Sequence, residues 1–300
     1  MNLYSISTGF FKLDGGAMFG VVPKSIWNKS NPADTNNLCS WALRCLLIED
    51  GNRLMLVDTG IGDKQDAKFF SHYYLHGDEH LDDSLKSKGF SKEDITDVFL
   101  THLHFDHCGG AIIRKENRLL PAFPNAVFWS NDDHWLWATE PNEREKASFL
   151  NENILPIRES GRLQMVSLGV EAENHAEIFS ATREENVNPL AKISFLEGFS
   201  IRIVNGHTRA MMLPQLEYKG RTIVFMADLL PSAGHLPIPY VMAYDMFPLI
   251  SLKEKKAFLE EAVTGDYVLF FEHDPVHECC TLQKTEKGIR AKEFFLLKDL

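Results

Sequence analysis

The segment Ile95-Thr96-Asp97-Val98-Phe99-Leu100 reads as a buried strand. It runs without a break into Thr101-His102-Leu103-His104-Phe105-Asp106-His107-Cys108-Gly109-Gly110. Four candidate metal ligands, His102, His104, Asp106 and His107, therefore stand at the end of one strand, within six residues of each other. His102 and His104 have one residue between them, so on extended backbone they point the same way. Asp106 and His107 are adjacent and must lie on a turn. One metal could take the cluster, but its mixed directions suit two neighbouring metals better, with the histidine pair on one and Asp106-His107 on the other. Imidazole and carboxylate ligands without thiolates favour zinc, manganese, iron or cobalt over an iron–sulfur cluster. Gly109-Gly110 lets the backbone turn tightly behind the cluster. The ligands thus sit at a strand's C-terminal end, where α/β sheets place their chemistry.

The rest of the chain repeats this arrangement. Residues 2–12 read as a strand, followed by a glycine-rich turn, Asp14-Gly15-Gly16-Ala17-Met18-Phe19-Gly20, with exposed-looking apolar side chains. An irregular segment with Pro23, Trp27 and Pro32 follows, of the kind that often binds ligands. Residues 41–49 and 53–58 form a hairpin about Glu49-Asp50-Gly51-Asn52, and the second strand ends at Asp58-Thr59-Gly60. Helices are expected over 63–75, 80–88, 131–153 (as one or two) and 251–263, and a further strand over 126–130. The stretch 154–199 is read as an excursion beside the site. Strands over 200–204, 221–227 and 267–273, the second in a hairpin with 212–218, end at His207, Asp228 and His273. Two strand-rich halves with helices predict one sandwich domain spanning 1–300.

Charge and composition narrow the function. The formal net charge is -11, and no run of five Lys/Arg occurs, which argues against nucleic acid or an anionic membrane as partner. The five cysteines, Cys39, Cys45, Cys108, Cys279 and Cys280, form no C-x-x-C pair; a disulfide framework is not expected, and a reducing cytoplasm is. The N-terminus carries no secretory pattern and no apolar stretch reaches 18 residues. Cys108 is expected to pack as a small buried residue, and His72, His76, His80, His134, His175 and His277 show no ligand pattern.

With these residues in place, the chain resembles the metallo-β-lactamase superfamily over nearly its whole length. The resemblance rests on Asp58 in Asp-Thr-Gly, the His-x-His-x-Asp-His cluster, Gly206-His207-Thr208, Asp228 and His273. It implies a four-layer αββα sandwich with metals at one edge of the two sheets. It assigns His102, His104 and His207 to a first metal, Asp106, His107 and His273 to a second, and Asp228 as a bridge. Asp58 would orient a ligand histidine through its other ring nitrogen. Two divalent ions follow, zinc first, then manganese, iron or cobalt.

Within the superfamily the chain is most similar to quorum-quenching N-acyl-homoserine lactonases and their methyl-parathion-hydrolase-like relatives. Asp14–Gly20, Pro23-Lys24 and the stretch from Asp228 through His235 and Tyr240 to Tyr244-Asp245 carry this narrower likeness. One departure is Arg209-Ala210-Met211-Met212, where many members continue Gly-His-Thr with Pro-Gly-His. The implied reaction is attack of a hydroxide shared by two metals on a lactone or ester carbonyl. The alternative is phosphotriester or aryl-ester hydrolysis. Asp106 would carry the proton to the leaving alkoxide, Asp228 would hold both ions, and Tyr240, Tyr244 and His235 are candidates to assist. Met18, Phe19 and Trp27 are candidates for an acyl pocket. The expected partner is a small ester or lactone, and a homodimer is compatible with the sequence.

Overall fold

The computed structural model describes residues 1–168 and 192–300. The stretches Glu171–His175 and Arg183–Asn186 lie outside the described residues. The first part of the chain supplies β1 (Asn2–Asp14), β2 (Leu38–Asp50), β3 (Arg53–Val57), β4 (Asp97–Phe99), β5 (Ile112–Lys115), β6 (Arg118–Pro121), β7 (Val127–Ser130) and β8 (Leu163–Met165). Six of these form a sheet in the order β1-β2-β3-β4-β7-β8, and β5 and β6 make a separate hairpin. The second part supplies β9 (Lys192–Leu196), β10 (Phe199–Val204), β11 (Met211–Tyr218), β12 (Arg221–Phe225), β13 (Val268–Phe270), β14 (Cys279–Thr285) and β15 (Gly288–Phe295). They form a sheet in the order β15-β14-β13-β12-β11-β10-β9.

The near-continuous apolar runs in the sequence arise because the central strands are covered on both faces. In β2, Leu46 and Ile48 pack toward the second sheet, whereas Cys45 and Leu47 pack among the helices outside the first. β3 divides in the same way, Met55 and Val57 inward and Leu54 and Leu56 outward. Helices Leu81–Ser87, Asp132–Thr139 and Asn151–Glu159 cover the outer face through Leu85, Trp135 and Ile154. The helix Pro248–Thr264 covers the second sheet with Phe258, Leu259 and Ala262. Buried Arg202 on β10 reaches that helix, pairing with Glu261 under the Phe258 ring. The layers are helix, sheet, sheet, helix, as the sequence implied.

Several elements differ from expectation. Residues 63–75 hold a single helical turn, Ala67–Phe70, because His76 pairs with Phe10 on β1 and draws the chain back through Tyr74 at φ 46°. The 131–153 stretch holds two helices, one of the two expected arrangements, the first ending at Thr139 before Pro141; the second, Asn151–Glu159, runs on into the stretch read as an excursion, whose described ends also supply β8 and β9 to the two sheets. The turn at Asp14–Gly20 is a short helix, Gly15–Phe19, and its apolar side chains are buried. Phe19 is stacked between Trp27 and His235, with ring centroids 5.3 and 4.5 Å away. All five cysteines are free and buried. Among the described residues no helix is long and apolar enough to cross a membrane.

Candidate metal centre

Parallel pairing of β3 with β4 and of β12 with β13 brings these strands' C-terminal ends to a common edge in each sheet. β10 runs in the same sense as β12, since both are antiparallel to β11. Asp58 follows β3, His102–His107 follow β4, His207 follows β10, Asp228 follows β12 and His273 follows β13. All seven expected ligands meet at that edge, and all are buried.

They form two groups suited to binding metal ions: His102, His104, His207 and Asp228 in one, Asp106, His107 and His273 in the other. His104 Nδ1 lies 3.1 Å from both His102 Nε2 and His207 Nε2. In the second group His107 Nε2 is 3.2 Å from His273 Nε2, and Asp106 Oδ2 is 3.8 Å from each. Asp228 stands between the groups, with Oδ2 3.1 Å from His207 Nε2 and Oδ1 3.3 Å from His273 Nε2. Two ligands about 2.05 Å from a tetrahedral zinc ion lie roughly 3.3 Å apart, so the spacings fit one cation in each group.

The outer ring nitrogens show which atoms are free to bind. His104 Nε2 donates to Glu145 at 2.9 Å, and His207 Nδ1 to Asp245 at 2.9 Å. His273 Nδ1 donates to the Ala42 carbonyl at 2.8 Å, and His107 Nδ1 to Asp58 at 3.1 Å. Thr101 Oγ1 donates to Asp58 at 2.6 Å, which leaves its lone pair to accept from His102 Nδ1 at 3.1 Å. Each imidazole therefore spends its N–H outward and turns a lone pair inward, the state a metal ligand needs. Inward nitrogens this close cannot all satisfy one another, because each has only a lone pair to offer.

Where no cation is bound, protons take that inward place on three of the rings: against the lowering by burial, Asp228 raises His207, to about 10, and His273, while Glu272, Asp106 and Asp228 raise His107. Burial raises the Asp228 carboxyl, but these charged imidazoles outweigh it and hold Asp228 well below the usual carboxylate range; a cation bound in each group would displace the protons. Burial likewise works against Glu145, and its bond to His104 keeps it low, hence ionised. Glu272 is a second buried carboxyl beside His107, with Oε2 3.1 Å from Nδ1. Burial pushes it up to about 8, which favours its protonated form at neutral pH.

The expected contribution of Gly109-Gly110 needs revision. Neither glycine lies in the left-handed region. They are required because the Asp58-Thr59-Gly60 loop packs directly on them: a Cβ would stand 2.1 Å from the Ile61 carbonyl oxygen at Gly109 and 2.2 Å from that of Thr59 at Gly110. Asp58 itself is held at φ 57°, with Thr59 N donating to the His107 carbonyl.

The structure also sorts the candidate assistants. Both nitrogens of His235 are engaged, by Ser232 and by the Met18 carbonyl, and its ring is buried. It pins the N-terminal loop and presents no free nitrogen to a substrate. Met18, Phe19 and Trp27 are likewise core residues, with at most 2% exposure. Tyr240 packs edge-on to Phe19. Tyr244 is partly exposed, and burial together with Asp14, Tyr73 and Asp106 holds its phenol above the ordinary value. The sequence reading gave no part to His134, Glu145, Asp245 or Glu272. His134 Nε2 accepts from Leu103 N at 2.8 Å and Nδ1 donates to the Arg209 carbonyl, so it fixes the ligand loop.

Glu254, on the helix behind the site, accepts both Asn205 N and Gly206 N, at 2.7 and 3.0 Å. Glu254→Ala would leave both donors unpaired beneath His207. A loss of about 2–5 kcal/mol in unfolding free energy is expected, read from the urea midpoint. An unchanged midpoint would show that the loop does not depend on this carboxylate.

Fold and site together define a metal-dependent hydrolase. The metallo-beta-lactamase superfamily model matches residues 44–273, and the chain belongs to that superfamily. A probable metal-dependent hydrolase from Staphylococcus aureus is similar in structure, with TM-score 0.83 and 25% identity over 100% of this chain and 98% of that one. AidC, a dizinc quorum-quenching lactonase, aligns with TM-score 0.75 and 20% identity over 98% and 95% of the two chains. An N-acyl homoserine lactone hydrolase aligns with TM-score 0.64 and 18% identity over 91% and 93%. No curated protein matches the chain.

Proposed function

We propose that this protein is a dinuclear hydrolase that opens lactone rings, with N-acyl-homoserine lactones as its substrate class. The observation that carries the reading is Asp228, ionised and placed between two groups of inward-facing ligands. Zinc is the proposed metal, from the imidazole–carboxylate donors and the dizinc description of AidC. His102, His104 and His207 would hold one ion, Asp106, His107 and His273 the other, and Asp228 both. Bound there, two divalent ions supply a water whose pKa falls from ~15.7 to near 7, about 12 kcal/mol in favour of hydroxide, and polarise the carbonyl.

The chain's own residues do the rest. Asp106 has its carboxylate at the edge of the second group, where it can accept a proton and deliver it to the alkoxide released on ring opening. Tyr244 is the chain neighbour of Asp245, which holds His207, and burial keeps its phenol protonated; it is assigned as a donor to a substrate oxygen. Tyr240, fixed beside Phe19, is proposed to shape the wall. The lactone assignment is supported by the named lactonases among the structural relatives.

Turnover of a long-chain acyl-homoserine lactone, an aryl ester and a phosphotriester by the zinc-loaded protein tests the substrate class. The lactone is expected to be the best substrate; reaction of the phosphotriester alone would reject the lactonase assignment. Tyr244→Phe is expected to lower kcat/KM roughly tenfold with zinc content unchanged, the scale of one hydrogen bond to a developing charge. An undiminished kcat/KM would remove Tyr244 from the reaction.

A further inference from the structure

The two groups differ in what stands behind them. In the second, the outer nitrogens of His107 and His273 reach Asp58 after β3 and the Ala42 carbonyl in β2. These partners belong to the sheet frame. In the first, only His102 is tied to that frame, through Thr101. His104 is held by Glu145, on the connection between two helices, and His207 by Asp245. Asp245 belongs to residues 236–247, a strap without helix or strand that also carries Tyr240 and Tyr244.

The strap hangs on few bonds. Lys255 Nζ donates to the carbonyls of Pro237 and Tyr240, each at 2.8 Å. Ala243 N donates to the Ala17 carbonyl, and Met246 N and Phe247 N to those of His207 and Gly206. On its outer side Arg144 donates to the carbonyls of Ala243 and Asp245. Arg144 is the chain neighbour of Glu145, and the Asn142 side chain accepts the backbone N–H of both, at 2.9 and 3.1 Å. One locked turn therefore grips the strap with one residue and His104 with the next.

We propose that Arg144 is a positioning residue that couples the strap over the site to the His102-His104-His207 group, so that a cation in that group orders the strap. The proposal rests on the dinuclear reading above. A cation that fixes the His104 and His207 rings fixes Glu145 and Asp245 with them, and through these the turn and the strap. By reciprocity, a displaced strap weakens that cation. Among the described residues no hydrogen bond from His107 or His273 reaches the strap; the second group shares only Asp228 with the first, and its affinity should change less.

The test uses full-length protein loaded with Zn2+. In Arg144→Met, amide exchange within 236–247 is expected to quicken. One of the two zinc ions should be lost to a competing chelator roughly fivefold more readily, the scale of one hydrogen bond, while the affinity for the other changes less. KM for the lactone should rise, with kcat at saturating zinc kept. Arg144→Lys, which retains a donor, should restore part of the effect. Adding Arg144→Met to His107→Ala should weaken the remaining zinc, and adding it to His104→Ala should not. Unchanged exchange in 236–247, or parallel weakening of both ions, overturns the coupling and leaves the dinuclear reading standing. Fewer than two zinc ions per unsubstituted chain would defeat both. In that unsubstituted chain, stripping zinc should quicken exchange in 236–247; equal exchange with and without zinc also overturns the coupling, whatever the variants do.

Discussion

Asp228→Ala is expected to abolish hydrolysis and metal retention together. Its carboxylate reaches both groups, with Oδ2 3.1 Å from His207 and 3.6 Å from His107, and Oδ1 3.3 Å from His273. Among the described residues no other carboxylate has an oxygen in both. Its removal leaves five inward imidazole nitrogens and one acid, Asp106, to offset two divalent ions. Turnover should fall at least ~10³-fold, about 4 kcal/mol, or a third of the ~12 kcal/mol by which the ions favour hydroxide. Elemental analysis should find fewer than two ions per chain. Asp228→Asn keeps the shape and removes the charge, so an equal loss there would trace the effect to the charge. Parental turnover by either variant at less than one ion per chain would exclude the proposed chemistry.

Chelation should lower the melting temperature by roughly 6–7 °C for each ion removed. A ligand at a thousand times its dissociation constant stabilises the folded state by about 4 kcal/mol. In a chain of 300 residues, with an unfolding entropy of about 2.1 cal/mol/K per residue, each kcal/mol corresponds to roughly 1.6 °C. The site magnifies the dependence, because buried nitrogens 3.1–3.2 Å apart oppose one another unless a cation lies between them. Calorimetry with a strong chelator, and again after excess zinc is restored, measures the shift and its reversal. An unmoved transition would mean that these side chains do not hold metal in the folded protein.

The ligands were legible because each closes a strand. Strand alternation and the residue after the last apolar position are local properties, so His102, His104, Asp106, His107, His207, Asp228 and His273 could be named before any fold was known. The residues themselves pointed to two strand-rich halves in one sandwich domain, and the four layers followed from the family resemblance that the ligand motifs carry. The single turn at Ala67–Phe70 was not legible, because the pairing of His76 with Phe10 overrides local helical preference.

By itself, then, the amino-acid order determined the strand-end edge and the seven side chains gathered there. Apart from Asp58, which the resemblance implied and which meets His107, tertiary structure alone decided what stands behind them. Glu145 lies 41 residues from His104, and Asp245 lies 38 from His207. An imidazole shows only one nitrogen to a metal, and the partner of the other is whatever the packed chain brings alongside. Its identity follows no spacing in the sequence, because it depends on how separate segments approach in space.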